Sequence, residues 1–260
     1  MTDAQLTSAF PAAGEPWATL LIAGAMGVPR RFYSPFATYL AANGIHVVTS
    51  DYPPEGDLTA WVAALDAKLA ETKAVAPSLP LLYLGHSLGG QVLGVLPGAG
   101  DVRAALTVTA GSGYYKLNDR MPLQVRLFWF VMVPLLTPLF GYFPGKRLRM
   151  VGDLPRGVAW QWRRWCLHPE YLMAEGDHYR TAFDRLRIPL RGYSFEDDSI
   201  VTKRAIDHMH AFYRAASVER RHVAPADVGA NRVGHFGFFA ESSRETLWRE
   251  SLEWLRAAVP

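Results

Sequence analysis

The chain has 260 residues, half of them apolar, which is enough for one α/β domain with a full hydrophobic core and an insertion. Its 27 Lys and Arg are interspersed with 24 Asp and Glu for a formal charge of +3, so no basic stripe marks it as a nucleic-acid binder. The single cysteine, Cys166, excludes an intramolecular disulfide and suits a reducing compartment.

The opening stretch, 1–16, has no basic region followed by an apolar run and a small-residue cleavage site. No cleaved leader is expected there, and the cytoplasm is the default location. Apolar runs then alternate with amphipathic stretches. Candidate strands fall at 17–23, 45–49, 79–84, 104–109, 188–193 and 219–224, most of them followed by Gly, Pro, Asp or Ser. Between them, Phe32, Phe36 and Leu40 form one helical stripe, which stops at Gly44. Trp61, Val62, Leu65 and Leu69 form a second, and Val92, Leu93 and Leu96 a third that begins right after Ser87. The last helix runs from about Arg244 and carries Leu247, Trp248, Leu252 and Leu255. This rhythm predicts a mostly parallel central sheet flanked by helices on both faces.

The rhythm breaks between 114 and 185, where aromatics and prolines crowd together. That segment is expected to be an inserted helical cap, with 1–113 and 186–260 forming the core. Within it, 127–143 is uncharged and strongly apolar, but it is short for a membrane span and is interrupted by Pro134, Pro138 and Gly141. A Pro-broken lid is the expected reading, and an integral span is not.

The run LPLLYLGHSLGG, 79–90, sends an apolar strand straight into Gly85, His86, Ser87, Leu88 and Gly89. A Gly-x-Ser-x-Gly turn between strand and helix holds a serine hydroxyl clear of the sheet edge, where the glycines leave room for a strained backbone. The spacing alone is weak, since so short a pattern arises by chance in chains rich in Gly and Ser. Its position between a buried strand and an amphipathic helix makes Ser87 the candidate nucleophile.

A serine hydroxyl needs a base to take its proton and a carboxylate to orient that base. His235, in the glycine-flanked loop Val233, Gly234, His235, Phe236, Gly237 after the last predicted strand, is the candidate base. His46 begins a strand, His86 adjoins the nucleophile, His208 and His210 belong to a helix, and His168, His178 and His222 occupy cap or surface positions. For the acid, the strand at 188–193 leads into Glu196, Asp197 and Asp198; Asp198 is preferred for the turn that follows it, with Asp197 the alternative.

The negative oxygen of an acyl-transfer intermediate requires backbone N–H donors. Leu88, just after the nucleophile, is expected to supply one. The second is expected from the loop Ala23, Gly24, Ala25, Met26, Gly27, with Ala25 the first choice and Met26 the second.

These residues together resemble bacterial α/β hydrolases of the monoglyceride-lipase-like and serine aminopeptidase-like branch. The likeness covers nearly the whole chain: AGAMGVPRRFY (23–33), the Ser50, Asp51, Tyr52 turn, GHSLGG, GYFPGKRL (141–148), LPRGVAWQW (154–162) and VGHFGFF (233–239). The resemblance implies the α/β-hydrolase fold with an eight-stranded sheet, a Ser, Asp, His triad and hydrolysis of an acyl bond. Two departures stand out. Only about 16 residues precede the first clear strand, so the opening antiparallel hairpin is expected to be short, and Ala23-Gly24 stands where many relatives have His-Gly.

An aromatic, apolar cap over the nucleophile excludes water and favours a hydrophobic acyl or aromatic group, so an ester or thioester is the first expectation. The alternatives are an amide or carbon–carbon bond hydrolase on the same triad, and a non-catalytic ligand-binding protein that keeps the fold. A third class, a lipase anchored to a membrane through its lid, rests on 127–143. The expected partner is a small hydrophobic substrate, with no nucleic acid. Serine chemistry needs no cofactor or metal. Composition leaves the oligomeric state open.

Overall fold

The computed structural model describes residues 6–148, 150 and 152–259. The first five residues of the opening stretch considered above lie outside the described residues.

Seven strands form the main sheet: β1 (Thr7–Phe10), β2 (Ala18–Ala23), β3 (Ile45–Ser50), β4 (Leu81–His86), β5 (Val102–Val108), β8 (Pro189–Phe195) and β9 (Ser217–Val223). Their order is β1-β3-β2-β4-β5-β8-β9, with β1 antiparallel to β3 and every other pair parallel. All six predicted strands are present, with ends shifted by one or two residues. Where the resemblance implied eight strands, the described residues make seven in the main sheet, and ahead of β2 they contribute β1, whose Thr7 faces Ser50. Sequence reading missed β1 because four residues at a sheet edge, partly exposed, carry no apolar run.

The strands need helices on both sides because their side chains alternate between faces. Leu21, Ala23, Leu81, Tyr83 and Ala105 enter one apolar cluster, with Trp61 and Leu65 of α2 (Leu58–Val75). Leu20, Ile22, Leu82, Leu84 and Leu106 enter the other, with Phe36 and Leu40 of α1 (Ser34–Ala42) and Leu252 and Leu255 of the C-terminal helix Arg249–Ala258. The helix after Ser87, α3 (Leu88–Val92), is shorter than its stripe suggested and tightens through Leu93–Val95 before Pro97.

Residues 114–185 contain α4 (Pro122–Leu127), α5 (Val133–Phe140), a two-stranded ribbon of β6 (Tyr142–Phe143) and β7 (Leu154–Pro155), α6 (Arg156–Leu167) and α7 (Asp177–Arg185). A wide π-turn at Phe128–Met132 joins α4 to α5. Pro134 supplies no N–H and its ring would crowd the carbonyl four residues earlier, a conflict that the wide turn accommodates. The later helices are tied to the core by polar contacts. Gln161 Oε1 accepts from the Leu58 N–H at 2.8 Å at the start of α2, and the Tyr171 hydroxyl donates to Gln91 Oε1 at 2.8 Å.

Candidate active site

The topology makes a crevice before any side chain is considered. From β2 the chain turns to β3 on one side, and from β4 it turns to β5 on the other, while β2 and β4 lie side by side with Ala23 opposite Gly85. Loops leaving adjacent strands in opposite directions open a gap at their carboxyl ends, where ligands of open α/β sheets bind. The loop after Ala23 and the turn at Ser87 both border that gap.

Ser87 has φ 50° and ψ −114°, a backbone conformation that disfavours any residue with a side chain. Such strain costs on the order of 1–3 kcal/mol and persists only where the surroundings enforce it. Here the Ser87 N–H donates to the Val108 carbonyl at 2.9 Å, and the Ser87 carbonyl accepts from Gly90 and Gln91 as α3 begins. The neighbouring glycines are steric necessities: a Cβ on Gly89 would sit 2.1 Å from the Ala23 carbonyl oxygen, and one on Gly85 would sit 2.4 Å from the Gly90 Cα. Ser87 is the one partly exposed residue in the buried run from Leu81 to Val92.

Asp198 follows β8 and His235 follows β9, at the same carboxyl edge. His235 Nδ1 lies 2.8 Å from Asp198 Oδ2, and both side chains are buried. Asp198 Oδ1 accepts from the Ile200 and Val201 amides at 2.7 and 3.0 Å, which fixes the carboxylate. Because that carboxylate accepts, His235 Nδ1 carries the proton and Nε2 is left with its lone pair, the tautomer a general base requires. Asp197 does different work: its two oxygens accept from the Val233 and Gly234 amides, each at 2.9 Å, and hold the backbone leading into His235. The Ser87 hydroxyl hydrogen-bonds to no described residue, so the His-Asp pair is formed while the Ser-His link is open.

The fold has clear counterparts among solved structures. A soluble variant of monoglyceride lipase from Saccharomyces cerevisiae, bound to a substrate analogue, superposes with a TM-score of 0.71 at 14% identity, over 98% of this chain and 92% of that one. A lipase in its open form gives 0.64 at 16% identity, over 97% and 94%, and MenH from S. aureus gives 0.58 at 13%, over 97% and 98%. This is an α/β-hydrolase fold. No protein-family model matches the chain, and no curated protein matches its sequence.

In this α/β-hydrolase fold the two amides weighed for the second oxyanion donor differ in their commitments. The Ala25 N–H donates to the Tyr33 hydroxyl oxygen at 2.7 Å, whereas the Met26 N–H has no acceptor among the described residues. The Ala25 amide is engaged because a bulky residue ten positions after Ala23 reaches back to it. The Leu88 N–H, in the first turn of α3, likewise has no acceptor among the described residues.

Tyr33 and His86 are the contributors that sequence reasoning passed over. His86 Nε2 lies 3.0 Å from the His235 carbonyl oxygen, which can only accept, so Nε2 carries the proton. His86 Nδ1 then accepts from the Tyr33 hydroxyl at 2.9 Å, and the Tyr33 oxygen accepts from Ala25. One buried chain of hydrogen bonds thus joins the His235 loop to the loop after β2. Burial, reinforced by the nearby His235, holds the His86 pKa well below the ordinary histidine range, in keeping with this neutral tautomer. Gly24 makes room for it, since a Cβ there would meet the Tyr33 ring at 2.9 Å. The one sequence signal was the motif position of His86 itself.

The other histidines are engaged elsewhere. His46 Nδ1 accepts from Ala12, His222 pairs with Ser194, and His210 Nε2 meets Thr107 Oγ1 at 2.8 Å.

Proposed function

We propose that the protein is a serine hydrolase that cleaves an acyl bond, with Ser87 as nucleophile, His235 as general base and Asp198 as the orienting acid. The observation that carries this reading is the buried His235–Asp198 pair at 2.8 Å, on the same sheet edge as a strained serine. In the reaction, His235 Nε2 takes the Ser87 proton as Oγ attacks the substrate carbonyl carbon. The oxyanion receives the N–H groups of Leu88 and Met26. His235 then gives its proton to the departing alcohol or thiol, and water, deprotonated by the same nitrogen, releases the acid. The attack requires a Ser87 rotamer within hydrogen-bond reach of Nε2, a contact that substrate closure tightens in such sites.

The lipase and esterase neighbours support an ester as the bond cleaved. The aromatic segment 114–185 is read as an inserted cap that favours a carboxylic ester or thioester with a hydrophobic acyl or aromatic group. We keep the cytoplasm as the compartment, which suits a single buried, unpaired thiol at Cys166.

One observation favours a second reading, a ligand-binding protein without turnover: the Ser87 hydroxyl is not engaged by His235. Treatment with a fluorophosphonate probe, with the adduct located by mass spectrometry, separates the two. The hydrolase reading requires labelling at Ser87 that is lost in Ser87→Ala and reduced in His235→Ala. Folded protein that never labels leaves the binding reading in front.

A further inference from the structure

The turn after β3, Ser50, Asp51 and Tyr52, contributes no group to the proposed triad. Because β3 lies beside β2 with Ser50 opposite Ala23, this turn leaves the sheet next to the loop that starts at Gly24. It holds that loop at both ends. Asp51 Oδ1 accepts from the Arg30 N–H at 2.6 Å, while Oδ2 pairs with the Arg30 guanidinium. The Tyr52 hydroxyl donates to the Gly24 carbonyl oxygen at 2.9 Å, and its ring stacks on Trp61 of α2 with centroids 4.6 Å apart.

Two tyrosines thereby meet on one peptide group. The Gly24 carbonyl and the Ala25 N–H belong to the same planar unit and, in a trans peptide, point in opposite directions. Tyr52 takes the first and Tyr33 the second, so the plane cannot rotate without breaking one of the two bonds. The next peptide is fixed as well. Its carbonyl, on Ala25, accepts from the Val28 N–H at 3.1 Å across a turn that Gly27 permits with φ 73°. With that carbonyl committed, the Met26 N–H is turned the other way, and it has no acceptor among the described residues. Burial pushes the pKa of both tyrosines up, so each hydroxyl keeps the proton it donates, Tyr52 to Gly24 and Tyr33 to His86.

We infer that Tyr52 is a positioning residue for acyl transfer: through the Gly24–Ala25 peptide it aims the Met26 N–H at the oxyanion. This rests on the hydrolase reading. An oxyanion donor is effective because it is aimed before charge develops, and one such donor contributes about a hundredfold to a thousandfold in rate. Tyr52 acts through the backbone, so its loss should blunt that contribution and not abolish it.

Tyr52→Phe tests the assignment, since it deletes the hydroxyl and leaves a ring to stack on Trp61. Hydrolysis of p-nitrophenyl butyrate, counted per site that a fluorophosphonate can titrate, should lose about tenfold in kcat with KM unchanged. Butylboronic acid supplies the second readout. Ser87 Oγ adds to boron, the hydroxyl proton passes to His235 Nε2, and boron becomes a tetrahedral anion with one oxygen at the oxyanion position. Its inhibition constant should rise by the same factor as kcat falls. A merely structural role would lower the melting temperature and the number of titratable sites while leaving kcat and the inhibition constant per site as in the wild type; that result would overturn the inference, and so would a rise in KM alone. Wild-type protein that neither labels nor hydrolyses the ester would remove the hydrolase reading and this inference with it. Wild-type protein that does both, matched by Tyr52→Phe, would remove the inference alone.

Discussion

The Nε2 of His86 lies 3.0 Å from the backbone carbonyl oxygen of His235, so the residue before Ser87 anchors the loop that carries His235. The anchor continues through Tyr33 to Ala25, and every polar atom along it has a partner. Tyr33→Phe would strand His86 Nδ1 and the Ala25 N–H in a buried site. Leaving buried groups unpaired costs about 1–3 kcal/mol. Urea unfolding should register that loss, and an unchanged midpoint would show that the chain of hydrogen bonds contributes nothing.

The two aspartates after β8 should separate cleanly. Asp198→Asn disturbs the tautomer of His235 and should lower turnover of an activated ester by roughly ten-thousand-fold with the fold intact. Asp197→Asn weakens two backbone contacts instead and should act mainly on stability, by about 1 kcal/mol. Steady-state rates and melting temperatures for both variants check the assignment; reversed effects would make Asp197 the acid.

Gly89 tolerates no side chain. Because a Cβ would fall 2.1 Å from the Ala23 carbonyl oxygen, Gly89→Ala must push α3 away from β2. The expected cost is about 3 kcal/mol or more, seen as a fall in thermal midpoint. Gly141→Ala meets no neighbour within 4 Å, so it pays only for its positive φ of 78° and should cost far less.

Acid should destabilise the protein from just below neutrality. Burial pushes His210 down to about 4, and the Arg220 charge acts in the same direction. The unfolded chain takes up this proton near pH 6.5 while the native state does not. Stability is therefore complete above about 6.5 and declines as pH falls towards 4, by about 3 kcal/mol for this one group. His86 shifts in the same direction for the same reason. Denaturation curves between pH 7.5 and pH 4.5, about the span of that titration, should show the slope, and His210→Gln should flatten it.

Much of the architecture was legible because the controlling signals are local. Six strands were readable as apolar runs ended by turn residues, and the glycines around Ser87 record a backbone that only they permit. His235 and Asp198 could be nominated from their loops, since each lies in the loop that follows a strand. The edge strand β1 was invisible, because its stability comes from pairing with β3 and not from its own four residues.

By itself, then, the sequence determined the alternation of strands and helices, the glycine-flanked turn at Ser87 and the loops that carry His235, Asp197 and Asp198, all properties of residues near one another in the chain. Tertiary structure alone decided which aspartate touches the His235 ring, that Tyr33 occupies the Ala25 amide, and which face of 122–140 stays bare. Each of these depends on side chains brought together by the sheet order across separations that no local pattern spans.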